Sequence, residues 1–246
     1  TPAPAEGGEH MSRLATCAAV TLDAQQAYAQ WASSYDETPN PLLALEERIL
    51  APILSNLFEQ NVVELGCGTG RWLHRLEAMG ARSLTGVDLS EAMLAEAKRK
   101  CLPSTRLIHA DCTTTLLPDR AADCILASFL LSYVPDLRKF AAEAAHILRP
   151  GGTIIVSDLH PNTSSYGWRR TFRTAGSSCE IATFKYTLPD LINVMSAAGC
   201  ILEAISEPCF GEEEAAIFHQ NGMLDSFLRV ESLPVIYWTQ FLLAET

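Results

Sequence analysis

Apolar and polar positions along the chain change period repeatedly, and each change marks a boundary between a strand and a helix. Residues 62–65 (VVEL) form a short apolar run, three glycines follow at 66, 68 and 70, and then RWLHRLEAM places Trp72, Leu73, Leu76 and Met79 on one helical face. A second strand over 83–87 ends at Asp88, and Ser90 caps a helix that reaches the basic turn Lys98-Arg99-Lys100. A third strand over 105–109 ends near Asp111, and a fourth over 122–127 ends at Ser128. A helix over 140–148 is stopped by Pro150-Gly151-Gly152, and the fifth strand spans 153–156. This alternation predicts right-handed crossovers and a parallel sheet.

Upstream, Asp23 is placed to cap a helix through DAQQAYAQWASSYDE, where Tyr28, Trp31 and Tyr35 recur at spacings of three and four. A core stripe and a lid over a site share that spacing. The next helix, over 41–58, carries Leu42, Leu45, Ile49 and Ile53 on one face, with Pro52 expected to kink or split it. Downstream, residues 159–187 are aromatic and Arg-bearing, break at 176–178 and alternate in CEIATFKYT, which predicts an inserted hairpin. A helix over 189–199, a strand over 200–206 and a last strand over 235–243 complete the chain.

Composition narrows the class. Of 246 residues, 48% are hydrophobic and 19% charged, as in a globular chain with a substantial core. The net charge of −11 and the scattered basic residues argue against a nucleic-acid partner, which needs a basic face. Eight cysteines without CxxC or zinc spacing predict reduced thiols and a cytoplasmic protein. Residues 1–22 are expected to be a disordered leader, since LATCAAVTL at 14–22 lacks the flanks of a signal peptide, and no run has the length of a membrane span.

The chemistry gathers at the glycine turn. Backbone there approaches a ligand closely, and the following helix begins with unpaired N–H groups. The spacing is GxGxG, shorter than the nicotinamide fingerprint, and Glu64 lies inside the strand before it, while Asp88 and Asp111 end the next two. Carboxylates repel a phosphate-rich cofactor near the turn. A ligand with an amino group, a positive centre and a ribose diol suits them, and Asp88 stands where a doubly wound fold places its ribose-binding acid.

ELGCGTG, VDLSEAML, HADCTTTLLP, DCILASFLLSYVPD and LRPGGTIIVSDLHP together resemble the class I S-adenosylmethionine-dependent methyltransferases of small-molecule type across most of residues 62–158. The resemblance implies a Rossmann-like, doubly wound α/β fold with a seven-stranded sheet, mostly parallel and with its last strand antiparallel. The expected single domain covers 23–246: a helical lid over 23–58, a cofactor-binding half over 61–158, the insertion over 159–187, and C-terminal helix and strands over 188–246. It further implies that S-adenosylmethionine binds and leaves as S-adenosylhomocysteine. Glu64 is expected at the methionine amino end, Gly66, Cys67, Gly68 and Gly70 along the methionine and ribose, and Asp88 on the ribose hydroxyls. Leu89 and Met93 flank the adenine, Asp111 and Cys112 meet its amino edge, Ser128 lies by the carboxylate end, and Tyr28 and Tyr35 cover the cofactor.

For the acceptor the expectations rest on position. His160, just past the fifth strand, is the candidate general base because imidazole titrates near neutrality. Trp31, Tyr166, Trp168 and Phe172 are candidate acceptor walls beside His160, while Arg169, with Arg170 and Arg173, would suit an acidic acceptor. No NPPY-like run follows the fourth strand and no carboxylate set for a metal is evident, so a metal-free reaction on a small organic acceptor, at oxygen or nitrogen, is expected. Two other readings stay open: a non-catalytic cofactor-binding regulator or scaffold, and an NAD(P)-dependent oxidoreductase. The sequence does not reveal the oligomeric state.

Overall fold

The structure, a computed structural model, describes residues 20–37, 39–174 and 177–245. The chain opens with a short strand, β1 (Val20–Leu22), and Asp23 caps α1 (Ala24–Trp31) by accepting from Gln26 N at 2.8 Å. Helix α2 (Pro41–Leu54) starts with proline in its first turn, where the missing N–H costs nothing. It runs unbroken through Pro52, so the expected split does not occur: Pro52 falls in the last turn, where little helix remains to be disturbed.

The alternating core follows as β2 (Asn61–Leu65), α3 (Arg71–Ala78), β3 (Ser83–Asp88), α4 (Glu91–Lys100), β4 (Arg106–His109), β5 (Ala122–Ser128), α5 (Leu137–Ile147) and β6 (Leu148–Leu159). Then come β7 (Thr171–Thr174), β8 (Ser177–Ile181), α6 (Leu188–Ala197), β9 (Cys200–Ser206), α7 (Glu212–Gln220), α8 (Leu224–Leu228) and β10 (Ile236–Leu243). One sheet has seven strands in the order β4-β3-β2-β5-β6-β10-β9. All its pairs are parallel except those of β10, which runs antiparallel to both β6 and β9. Chain order reverses between β2 and β5, and the crevice at their carboxyl ends is where such sheets bind ligands. The doubly wound sheet with one antiparallel strand is the expected fold.

Apolar side chains bury both faces of this sheet. Leu137, Phe140, Ile147, Leu191 and Met195 of α5 and α6 cover one face, and Leu50, Leu54, Trp72, Leu73 and Leu76 of α2 and α3 cover the other. Seven of the cysteines are described, all unpaired, with Cys67, Cys101, Cys124, Cys179 and Cys200 buried among apolar atoms.

Three expectations change. Residues 20–22, assigned to the leader, form a strand that pairs parallel with β8, because the β7–β8 hairpin offers it an edge; residues 1–19 lie outside the described residues. The insertion is accordingly a separate three-stranded sheet, β1-β8-β7, preceded by a 3₁₀ turn over Pro161–Tyr166. The fifth core strand begins at Leu148, since Pro150-Gly151-Gly152 ends the helix and continues as extended chain. Helices α7 and α8 had no counterpart in the sequence reading; Phe218 and Phe227 bury them against Leu45, Phe210 and Val235.

Candidate active site

The floor of the crevice is built from β2, which is buried along nearly its whole length. Glu64 stands on it at 2% exposure, and its Oε2 has no hydrogen-bond partner among the described residues. Burial pushes its pKa well above the ordinary carboxylate range; Arg71 opposes this, whereas Glu46 and Asp88 add to it. The turn after β2 is anchored by its backbone: the N–H groups of Gly66 and Cys67 donate to Val87 O at 2.8 and 3.0 Å. Gly70, with φ 77°, opens α3, and a Cβ there would lie 2.9 Å from Cys101 Sγ and 3.1 Å from Ala97 Cβ. Only glycine lets the turn take that left-handed backbone and lets α4 pack so close.

Asp88 closes β3 and holds the loop in place. Its Oδ2 accepts from Gly68 N at 2.8 Å and its Oδ1 from Ser90 N at 2.8 Å. Burial raises its pKa, and those two N–H groups resist the rise. Asp111 makes a turn of its own, with Oδ1 accepting from Thr113 N and Oγ1, both at 2.7 Å. Burial pushes the adjacent Cys112 thiol up to about 12.

These groups open onto one cavity of about 490 Å³, mostly apolar. It is lined by Tyr28, Tyr35, Glu64, Gly66, Cys67, Gly68, Asp88, Leu89, Met93, Asp111, Cys112 and Ser128. Gly70, expected with them, is absent from the lining because its turn faces α4 instead.

Beside Glu64 lies a network that the sequence reading missed. Glu46 of α2 is fully buried, and it accepts from Arg71 Nη2, from Trp72 Nε1 at 3.1 Å, from Ser128 Oγ at 2.7 Å and from Ser157 Oγ. Arg71 lines the cavity, and its Nη1 is buried with no partner among the described residues. Burial works against the guanidinium charge, but Glu46 holds its pKa above the ordinary value. Glu64 and Arg71, which both line the cavity, thus carry a buried carboxylate oxygen and a buried guanidinium nitrogen that are unpaired among the described residues. Glu46 interrupting the apolar stripe of α2 was the available signal.

The lid is closed. Tyr28 Oη donates to Tyr133 Oη at 2.9 Å, Trp31 stacks on Phe172 with ring centroids 5.2 Å apart, and Trp31 meets Tyr35 edge-on at 4.8 Å. Asp36 is tied to Lys100, and Thr69 Oγ1 donates to Asp36 Oδ1 at 3.1 Å, so the segment is fastened to the glycine turn. Burial raises the pKa of Tyr28, Tyr133 and Tyr35, the last to about 12.

The residues expected around the acceptor are elsewhere. His160 is not in the cavity lining: it is 6% exposed, its Nδ1 accepts from Asn162 N at 3.2 Å as the cap of the 3₁₀ turn, and its Nε2 lies 3.4 Å from Glu207. Backbone capping uses the nitrogen that a base would need. Trp31 and Phe172 pack against each other beneath the lid, and Trp168 packs toward Phe210 at 6.1 Å. Arg169 points to solvent near Glu180 at 3.5 Å, Tyr166 sits half-buried on the 3₁₀ turn, and neither lines the cavity. Arg173's side chain lies outside the described residues. In their place Phe129, Leu130, Tyr133 and Ala182–Phe184 form the remaining wall.

Known proteins agree with this architecture. A family described as a methyltransferase domain matches residues 62–152. A demethylmenaquinone methyltransferase of Tropheryma whipplei is 27% identical over 196 residues, 76% of each chain. A ubiquinone biosynthesis O-methyltransferase of Idiomarina loihiensis is 35% identical over 114 residues, 45% of this chain and 46% of that protein, so the match spans about half of each. The crystal structure of an S-adenosylmethionine-dependent methyltransferase from Mesorhizobium loti superposes with a TM-score of 0.62 at 21% identity, over 78% of this chain and 97% of that one, and shows the same fold. A β4-β3-β2-β5-β6-β10-β9 sheet, acidic residues at its strand ends and these matches lead to one assignment: residues 62–152 match a methyltransferase domain, set in the fold that S-adenosylmethionine-dependent methyltransferases share.

Proposed function

We propose that the protein transfers a methyl group from S-adenosylmethionine to a small organic acceptor without a metal, in the cytoplasm. One observation carries the reading: the unpaired Glu64 Oε2 and Arg71 Nη1 on one wall. Unpaired buried polar atoms are costly, and a ligand with both an ammonium and a carboxylate relieves both at once. The methionine end of the cofactor is such a ligand.

In this reading Glu64 accepts from the ammonium and Arg71 holds the carboxylate, with Ser128 beside it giving its own proton to Glu46. The turn at Gly66, Cys67 and Gly68 runs along the methionine and ribose, with Gly70 shaping it from behind. Asp88, already oriented by Gly68 and Ser90, accepts from the ribose hydroxyls with its free lone pairs. Leu89 and Met93 flank the adenine, and Asp111 and Cys112 meet its amino edge. When bound, the cofactor supplies a methyl group activated on a sulfonium. The chain's task is then to align the acceptor and keep water out, which Tyr28 and Tyr35 serve by closing the lid. Among the described residues no histidine lines the cavity, so the base role expected of His160 is dropped.

The quinone-pathway names of the relatives favour an aromatic acceptor bearing hydroxyl groups. Calorimetry with S-adenosylhomocysteine, and with NADH as control, tests the donor; radiolabelled methyl transfer to a panel of phenols, acids and amines tests the reaction. Binding of NADH without S-adenosylhomocysteine refutes the proposal, and donor binding with no transfer to any of the panel favours a regulatory role.

A further inference from the structure

Another part of the cavity lining carries a hydrogen-bonded pair of tyrosines. Tyr133 ends the short 3₁₀ turn Leu131–Tyr133 and lines the cavity. Its hydroxyl accepts from Tyr28 Oη at 2.9 Å, and its own proton has no acceptor among the described residues. A hydroxyl whose lone pair is taken by the lid has a proton left to give. Burial keeps that phenol in its neutral, donating form at physiological pH.

Behind the ring sits a fixed positive charge. Arg170 lies with its guanidinium carbon 5.7 Å from the Tyr133 ring centroid and 5.1 Å from that of Phe129, and Asp158 holds it at 3.0 Å. Asp158 is occupied: it also accepts from Ser132 N at 2.8 Å and Leu159 N at 2.7 Å, so it positions and does not face the cavity. Carboxylates that do line the cavity are Glu64, Asp88 and Asp111 at the strand ends, and Asp23 on the exposed lid, which caps α1. Tyr133 is therefore a neutral donor backed by an arginine, and among the described residues that line the cavity there is no histidine to take a proton.

We propose that Tyr133, held by Tyr28, donates to the acceptor's nucleophilic oxygen, and that the acceptor is a phenol or enol bound as its anion. This rests on the methyl-transfer reading above. An amine brings N–H donors and positive charge, both mismatched to Tyr133 and Arg170. A phenol ionises as it enters, giving its proton to bulk water. Its oxygen then forms the O–C bond as the C–S bond breaks; that electron pair stays on sulfur, and a neutral ether and thioether result.

A test uses 4-nitrophenol, whose phenolate has its own visible absorption, titrated across its free ionisation range with the full chain saturated in S-adenosylhomocysteine. The bound phenol is expected to ionise about one to two pH units lower than the free one, as a charge-assisted hydrogen bond allows. Y133F, a near-isosteric change, should return the midpoint to the free value or above; Y28F should give a smaller shift, since Tyr133 keeps its proton. A bound phenol that stays neutral, a midpoint unmoved by Y133F, no saturable binding of the phenol, or tighter binding of aniline each overturns the proposal. Calorimetry of S-adenosylhomocysteine on the same samples separates the two claims. Loss of that binding sinks the donor reading, whereas intact binding with an unshifted phenol sinks this one alone.

Discussion

Replacing Glu64 by glutamine should weaken cofactor binding while leaving the empty protein as stable or more so. Glu64 is almost fully buried and its Oε2 is unpaired, so in the empty protein burial favours the protonated acid. A carboxyl raised in the folded state contributes stability that is fully present below its unfolded value, ordinarily 4.5, and is lost as pH climbs through the raised value. Glutamine, neutral and of equal size, removes that loss, so the decline in stability above about pH 4.5 should flatten in the variant. Binding reverses the balance. An ammonium against Oε2 favours the ionised form, so uptake of S-adenosylhomocysteine should release a proton, and the charge-assisted bond is worth about 1.5–3 kcal/mol. The variant should therefore bind roughly tenfold to a hundredfold more weakly and release fewer protons. Titration calorimetry in two buffers of different ionisation enthalpy measures both quantities, and thermal denaturation against pH measures the stability. Equal affinity and equal proton release in the two proteins would refute the assignment of Glu64 to the ammonium.

Three further outcomes follow from the geometry. Asp88→Ala removes the ribose acceptor and the anchor of Gly68 N and Ser90 N, so S-adenosylhomocysteine should bind about 1–3 kcal/mol more weakly; an unchanged calorimetric Kd counts against it. Gly70→Ala forces a side chain into the left-handed backbone at φ 77° and against Cys101, costing at least about 1–2 kcal/mol in urea denaturation, and a loss under roughly 0.5 kcal/mol would contradict that strain. His160→Ala should cost about 1 kcal/mol through the lost cap, with kcat at saturating substrate unchanged for the folded fraction. A fall in kcat well beyond the loss of folded protein would return His160 to the chemistry.

The elements and cavity lining of residues 61–128 were legible because they are set locally. Strand, glycine turn and helix lie within residues 61–78, and each strand-end carboxylate follows its own apolar run, so period and position suffice. The acceptor half is assembled from distant segments. Tyr28 and Tyr133 are 105 positions apart, and Glu46 reaches Ser157 across 111; no spacing announces either contact. His160 was misplaced for a related reason: a histidine just past a strand end is at the right edge of the sheet, but the following proline begins a 3₁₀ turn that turns its Nδ1 to the backbone. Trp31 and Phe172 were expected as acceptor walls and instead stack on each other, since aromatic area serves a packed interior as well as a pocket's wall. Strand β1 and helices α7 and α8 escaped because their order comes from partners: the β8 edge for one, and a cluster of phenylalanines for the others.

Glu46 shows why such a site is expensive to assemble from long-range parts. An arginine in an apolar cavity would by itself attract any anion, and in a chain of net charge −11 nothing nearby but Glu46 is needed to balance it. By taking Arg71 Nη2 and leaving Nη1 free, Glu46 cancels the net charge while preserving one directed donor. Glu64, whose burial favours the acid and whose ionised form a cation would favour, does the same for the acidic side. On the proposed reading, Glu64 and Arg71 become a matched pair of ions only when both ends of a zwitterion are present. An isolated anion meets Arg71 without relieving Glu64, and an isolated cation does the reverse, so each satisfies only half of the buried polar atoms. On the proposed reading, discrimination for an amino-acid head group comes from two atoms unpaired among the described residues and one buried counter-charge contributed by α2, the same helix that covers the sheet.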